Sequence, residues 1–319
     1  MKRRVVITSM GVISSLGKTP EEIQAALKTK QVSFERPGYD QDVVVSPVRD
    51  FDLREYTGPF KERRYLNRGA AFALAAALEA IRRSGLVKGA FPEAGLFVGA
   101  GPHLDIGGEF PNIENGRMGR SNLDALWILR FLPNTAASLI AQSVGIRGEN
   151  LTVGTACAAA LSAVGEAFRR IRDGYLDCAL AGGGDSRLTA GGTLAYKNAG
   201  ALYRGEGPPD EASRPFDGDR KGFIAGEGGA FFLLEERDRA LEHGLQRQVA
   251  FDAADDVDVH ADRRRDDAHL GHDDDDHAEP DQVVVQRLDH GVEDRDGQED
   301  QPERVHETAG DEVEEDNEA

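Results

Sequence analysis

The sequence predicts an α/β fold, and three observations carry that prediction. Short apolar runs of strand type alternate with helix-forming stretches through residues 1–245. Several of those runs exit through glycines, as at Gly99-Ala100-Gly101 and Gly182-Gly183-Gly184. The helical stretches are rich in alanine and other small residues, as suits helices packed closely against a sheet whose faces are both covered.

Taken in order, Val5-Val6-Ile7 reads as a first buried strand, and Gly11 to Gly17 as a small-residue loop. Thr19-Pro20-Glu21-Glu22 has the form of a helix start, with threonine as N-cap, proline at the first helical position and acids in the first turn; the helix should run to about Lys28. Residues 31–60 carry turn formers and read as loops with a short strand at Asp42 to Val45. Asn67 to Ser84 is an alanine-rich helix with Gly85 as its C-cap, and Leu96 to Gly101 a buried strand. Gly99-x-Gly101 does not extend to a dinucleotide fingerprint, because its third glycine would fall at Leu104. Residues 105–130 read as irregular. A small-residue helix opens near Pro133 and stops near Gly145, Leu151 to Val153 is a strand, and Ala158 to Arg172 is a helix closed by Gly174. Cys178 to Asp185 is a buried strand, Ser213 to Asp217 a turn, Gly222 to Gly229 a glycine-dense loop, Ala230 to Glu235 a strand and Glu236 to His243 a helix.

No run reaches the roughly 18 apolar residues of a membrane span, and the apolar stretch after Met1-Lys2-Arg3-Arg4 is too short for a signal peptide. Two cysteines in 319 residues argue against a disulfide framework, so a reducing cytoplasm is the expected setting. The net charge of −19 is unevenly held. Residues 246–319 contain 27 acidic and 7 basic side chains, against 30 and 31 in residues 1–245. Neither part is basic, and no nucleic-acid or membrane partner is expected. The composition therefore divides the chain into a folded domain, 1–245, and an acidic low-complexity tail, 246–319, which has too little apolar surface to offset chain entropy.

Cys157 is the residue with the plainest chemistry. It stands where the strand Leu151 to Val153 hands over to a helix, so its sulfur faces unpaired N–H groups and the positive end of a helix dipole. Both favour the thiolate, the nucleophilic form. The competing reading is a buried structural cysteine. Cys178, inside an apolar run, is read as structural. His103 lies alone in a Gly-Pro loop and is read as surface or structural. His269, His272 and His277 flank Asp273 to Asp276, but their composition alone explains them, and neither a metal nor a cofactor is expected.

An ordered set of motifs then adds to this reading: Arg3 to Thr8 with the Gly11 loop, Pro133-Asn134-Thr135, Gly148 to Cys157, Ala181-Gly182-Gly183, Ser213-Arg214-Pro215-Phe216-Asp217, and Gly222 to Gly228. In this order the chain resembles the β-ketoacyl-acyl-carrier-protein synthases of the elongating, type II-like kind over about residues 1–245. The resemblance implies a thiolase-like fold of two similar α/β halves, usually dimeric, of which this chain carries the first half and the start of the second. It implies that Cys157 takes an acyl chain from acyl carrier protein. A malonyl-loaded carrier protein then undergoes decarboxylating condensation with it, and the partner protein is a second copy of the chain. Phe223 matches a segment near the active-site mouth; a core aromatic in a tight turn is an equal reading.

The resemblance stops near Leu245. The histidine motifs that the family supplies later, of the Asn-Ala-His-Gly-Thr and Lys-x-x-x-Gly-His types, are absent from the 319 residues. Three readings of the chain follow: a synthase whose gene is read out of frame after Leu245, a non-catalytic subunit that pairs with an active synthase, and a protein whose acidic tail is an interaction arm. The retained Cys157 counts against the second. The first predicts that the nucleotide sequence beyond the Leu245 codon encodes both histidine motifs in another frame; if no frame does, the tail is a genuine acidic extension.

Overall fold

The computed structural model describes residues 2–101 and 126–242, with the backbone of 113–114 and 117–118. Along the chain come β1 (Val5–Ile13), α1 (Pro20–Lys28), β2 (Val45–Ser46), α2 (Arg54–Thr57), α3 (Arg68–Ser84) and β3 (Gly95–Gly99). A two-stranded ribbon follows, β4 (Ile113–Glu114) and β5 (Arg117–Met118), then α4 (Thr135–Val144), β6 (Asn150–Val153) and α5 (Ala159–Arg172). The described chain closes with β7 (Cys178–Ser186), α6 (Ala190–Asn198), β8 (Ala225–Glu236) and α7 (Arg237–Glu242).

Five strands lie side by side in the order β1-β8-β7-β3-β6, and β2 joins beside the start of β8. The β7, β3 and β6 strands are parallel; β8 runs antiparallel to both its neighbours. Side chains alternate between the two faces. Leu96, Val98, Leu180, Phe231 and Leu233 point into a core with α3 and α4. Phe97, Ala179, Ala181 and Leu234 point to the other side, against Ala163, Ala167 and Ile171 of α5. This two-sided cover is why the strands read as continuous apolar runs rather than as alternating ones.

The capping expectations hold. The Thr19 hydroxyl accepts the Glu22 N–H at 3.2 Å at the head of α1, the Asn67 side chain accepts that of Ala70 at 2.8 Å at the head of α3, and Gly85 closes α3 at φ 75°. Two glycine stretches read as loops are strand instead: β1 runs through Gly11 to Ile13, and β8 begins at Ala225, inside the glycine-dense segment. The reason is close approach. A Cβ on Gly11 would lie 2.1 Å from the Ala76 carbonyl oxygen, and one on Gly229 2.8 Å from that of Phe72. These glycines are absent side chains under α3, not turn signals.

Other boundaries move less. The short strand sits at Val45–Ser46 rather than 42–45, since Val43 and Val44 are buried in small clusters outside the sheet. Residues 31–60 also contain α2, and a 3-10 turn follows at Lys61–Tyr65. The α6 helix was hidden by Gly191-Gly192; Thr189 caps it, its hydroxyl accepting the Gly192 N–H at 3.1 Å. Lys197 anchors α6 to the loop before β2, with its ammonium 2.8 Å from Asp40 and 2.9 Å from Asp42. That contact holds the Asp40 carboxyl below the usual carboxylate range. The expected irregular stretch 105–130 lies largely outside the described residues, as do His103, His243 and the tail 246–319.

Replacing Gly11 with alanine drives a methyl into the α3 backbone. The Gly11→Ala chain is expected to lose about 1–3 kcal/mol of stability, the usual cost of overpacking, read as a lowered urea midpoint with an unchanged slope. A midpoint equal to the parent's would show that α3 lifts freely from β1.

Candidate active site

The carboxyl ends of β3, β6 and β7 form one rim of the sheet, the place where open parallel sheets present a ligand crevice. Both long helices begin at this rim, α3 on one face and α5 on the other. The β6 strand delivers the chain to Gly154, and Val153 is still tied to β3 by the Ala100 N–H at 3.1 Å. The next residues turn sharply. Ala156 stands at φ 50°, in the left-handed region that costs an L-residue about 1–2 kcal/mol. Ala156–Ala158 make one 3-10 turn, and α5 proper begins at Ala159.

Cys157 is the middle residue of that turn and is exposed. The sequence expectation of a thiol at a helix start is met with a shift of one residue at the helix boundary. Ala158, the N-cap of α5, offers no side-chain acceptor, so no side chain of the cap competes for the first N–H groups of the helix. The turn is bracketed by one side-chain contact, Thr155 to Ser162, hydroxyl to hydroxyl at 3.1 Å. The buried-cysteine reading belongs to Cys178 instead. It is 2 % exposed in β7, and burial, with the Glu235 carboxylate adding to it, pushes its thiol pKa well up. One thiol is open to reagents and the other is closed to them.

A buried carboxylate that the sequence did not single out stiffens the same rim. The Glu227 side chain is 1 % exposed. It accepts the single Arg68 Nε–H, shared between its two oxygens at 2.9 and 2.8 Å, one hydrogen bond from Arg68 Nη2 at 2.7 Å, one from the Ser186 hydroxyl at 2.6 Å and one from the Val48 N–H at 2.9 Å. These contacts satisfy both of its buried oxygens. It joins the head of α3, the end of β7, the start of β8 and the segment after β2. The glycines on either side of Glu227 drew attention in the sequence; the acid among them was the informative residue.

Phe223 is not a core aromatic. It is 47 % exposed and packs edge-to-face with Tyr196 at a centroid distance of 5.9 Å. In the predicted turn Ser213 to Asp217, Arg214 pairs with Asp217 at 2.6 Å, and Phe216 projects fully into solvent at φ 66°. Among the described residues there is no histidine, no group of side chains arranged to hold a metal, and no helix long and apolar enough to cross a membrane.

Residues 2–240 match the family described as the beta-ketoacyl synthase, N-terminal domain. The chain belongs to the β-ketoacyl synthase family. It is 32 % identical over 257 residues to the 3-oxoacyl-[acyl-carrier-protein] synthase 2 of Synechocystis sp., covering 77 % of this chain and 60 % of that one. It is 33 % identical over 260 residues to the actinorhodin polyketide putative beta-ketoacyl synthase 1 of Streptomyces coelicolor, covering 77 % and 55 %. Of solved structures, a beta-ketoacyl synthase from Burkholderia phymatum superposes with a TM-score of 0.66 at 25 % identity, over 76 % of this chain and 62 % of that one. The ishigamide ketosynthase/chain length factor gives 0.65 at 29 %, over 77 % and 61 %. The expected thiolase-like α/β fold is therefore present in this synthase domain, and the chain spans about three-fifths of the length of the curated relatives it matches.

Native-state treatment with iodoacetamide, read by peptide mass spectrometry, is expected to modify Cys157 and spare Cys178, and to modify both once the chain is unfolded in urea. Equal native labelling of the two thiols would contradict the burial difference.

Proposed function

We propose that this synthase domain performs the acyl-accepting step of 3-oxoacyl-acyl-carrier-protein synthesis on Cys157. The observation that carries the reading is the placement of the one exposed thiol among the described residues: on a strained turn, at the head of α5, at the carboxyl rim of the parallel strands. The Cys157 thiolate attacks the carbonyl carbon of an acyl thioester borne by acyl carrier protein. A tetrahedral oxyanion forms and collapses, the carrier's thiolate leaves, and the acyl chain stays on sulfur. The Cys157 N–H is the natural first donor to that oxyanion.

In the full reaction, malonyl carrier protein loses carbon dioxide and its carbanion attacks the Cys157 thioester. Cys157 is released as thiolate, and a 3-oxoacyl thioester two carbons longer results. The developing enolate needs the histidine motifs that the 319 residues do not contain. A relative named as a 3-oxoacyl-[acyl-carrier-protein] synthase and one named as a polyketide beta-ketoacyl synthase are about equally similar, so the reading is the chemistry they share, in fatty acid or polyketide biosynthesis. The working form is a cytoplasmic homodimer. Among described residues β6 is the open edge of the sheet, and Leu151 on it is 39 % exposed, an edge a second copy would pair.

Incubation of the 319-residue chain with acyl-loaded carrier protein is expected to add the mass of the acyl group to the Cys157 peptide, and Cys157→Ser to abolish the adduct. Adding malonyl carrier protein should yield no 3-oxoacyl product. No adduct, or an adduct retained in Cys157→Ser, would overturn the assignment of the nucleophile; a 3-oxoacyl product would show that other residues stabilise the enolate.

A further inference from the structure

Cys157 is carried by the 3-10 turn that leads directly into α5, and the floor beneath the first residues of α5 has no side chains. Gly99, the last residue of β3, pairs in register with Gly183 of β7. A Cβ on Gly99 would lie 2.3 Å from the Ala160 nitrogen and 2.5 Å from both the Ala159 carbonyl carbon and the Ala160 Cα. All three are backbone atoms of the first two residues of α5, so no side-chain rotation relieves them. A Cβ on Gly183 would meet the Gly99 carbonyl oxygen at 2.6 Å and the Ala160 methyl at 3.1 Å. Two residues down the same strands the floor changes. There the pair is Phe97 and Ala181, and α5 faces it with alanines at 163 and 167. The helix therefore rests lowest on the sheet at its head, where the nucleophile is.

We propose that Gly99 and Gly183 are positioning residues for Cys157, forming a seat that fixes the height of the nucleophile above the carboxyl rim. The proposal rests on the reading of Cys157 as the acyl acceptor. Ordinary contact for a Cβ begins near 3.4 Å. An alanine at 99 therefore lifts the head of α5 by about 1 Å, a misplacement that costs up to about 100-fold in rate when it reaches a reacting atom. The displacement passes to Cys157, three residues ahead of Ala160, because the other side of the turn has no slack. Ala156 already occupies the left-handed region, and Val153 is bonded into the sheet. Gly229 serves as an internal control. It relieves the same sheet against α3, on the opposite face, and its added methyl would meet Phe72 and Ala73 instead.

The test compares Gly99→Ala and Gly229→Ala in the full 319-residue chain, at a temperature where circular dichroism shows both folded. Two readouts are used: acyl transfer from loaded carrier protein, and the 19F chemical shift of a trifluoroacetonyl group attached to Cys157. Expected are a 10- to 100-fold slower transfer and a displaced 19F line for Gly99→Ala. For Gly229→Ala the expectation is a lowered Tm with transfer within about two-fold of the parent and an unmoved line. Equal effects of the two variants on both readouts, or no effect of Gly99→Ala, would overturn the seat. If the parent accepts no acyl group, the reading of Cys157 as acyl acceptor fails, while the 19F line still decides whether Gly99 positions the thiol. If Gly99→Ala does not fold, Gly183→Ala carries the test. The methyl it adds meets the Gly99 carbonyl oxygen at 2.6 Å and the methyl of Ala160 at 3.1 Å. A second change, Ala160→Gly, relieves only the latter contact and is expected to recover part of the lost transfer and move the 19F line part-way toward its parent position; no recovery of either would overturn the proposal.

Discussion

Two alanine-rich helices lie closer to the sheet than ordinary side chains allow, and the rest of the domain depends on that approach. On one face α3 presses on β1 and β8 at Gly11 and Gly229; on the other, the head of α5 presses on β3 and β7 at Gly99 and Gly183. Neither contact is a special interaction. Each is an exclusion: a hydrogen in place of a methyl, repeated where backbone meets backbone. What the exclusion provides is precision. A helix resting on long side chains can shift as their rotamers shift, whereas one resting on main-chain atoms has a fixed height.

The same packing explains what the sequence did and did not reveal. The α1 and α3 helices were legible because the Thr19-Pro20 start, the alanine-rich run after Asn67 and the Gly85 stop are local signals with a local mechanism. The strands of the parallel core were legible because burial on both faces removes polar alternation. The ends of β1 and β8 were not, because glycine has two physical uses. At a turn it supplies a backbone conformation; under a helix it supplies an absent side chain. A single sequence cannot separate these until the partner at Ala76 or Phe72 is known. The α6 helix was lost the same way, with Gly191-Gly192 outweighing the cap at Thr189.

At the site, the thiol and its setting at a strand-to-helix turn could be read from residues 151–172, since strand, turn and helix are contiguous. The supporting groups could not. Glu227 gathers Arg68, Ser186 and Val48 from three distant segments, and Gly99 meets Ala160 across sixty-one positions. Contacts of that range are set by topology, here the parallel order β7-β3-β6, and topology is not a local property. The family match over residues 2–240 adds to local physics the class of protein in which such a thiol stands.

The division of labour in the chain is also physical. Accepting an acyl group asks for a reachable thiol, a donor for an oxyanion and a rigid mount, and residues 2–242 provide the thiol, its N–H and the mount. Decarboxylative condensation asks further for groups that hold a developing enolate, and no histidine stands among the described residues to do so. The two demands separate cleanly because the first is met by backbone geometry at one helix start. The second needs side chains converging on the same carbon from outside that helix. On the proposed reading, residues 2–242 are a mount with its nucleophile in place. The reaction that reading leaves open to them is the one in which an acyl group arrives and stays.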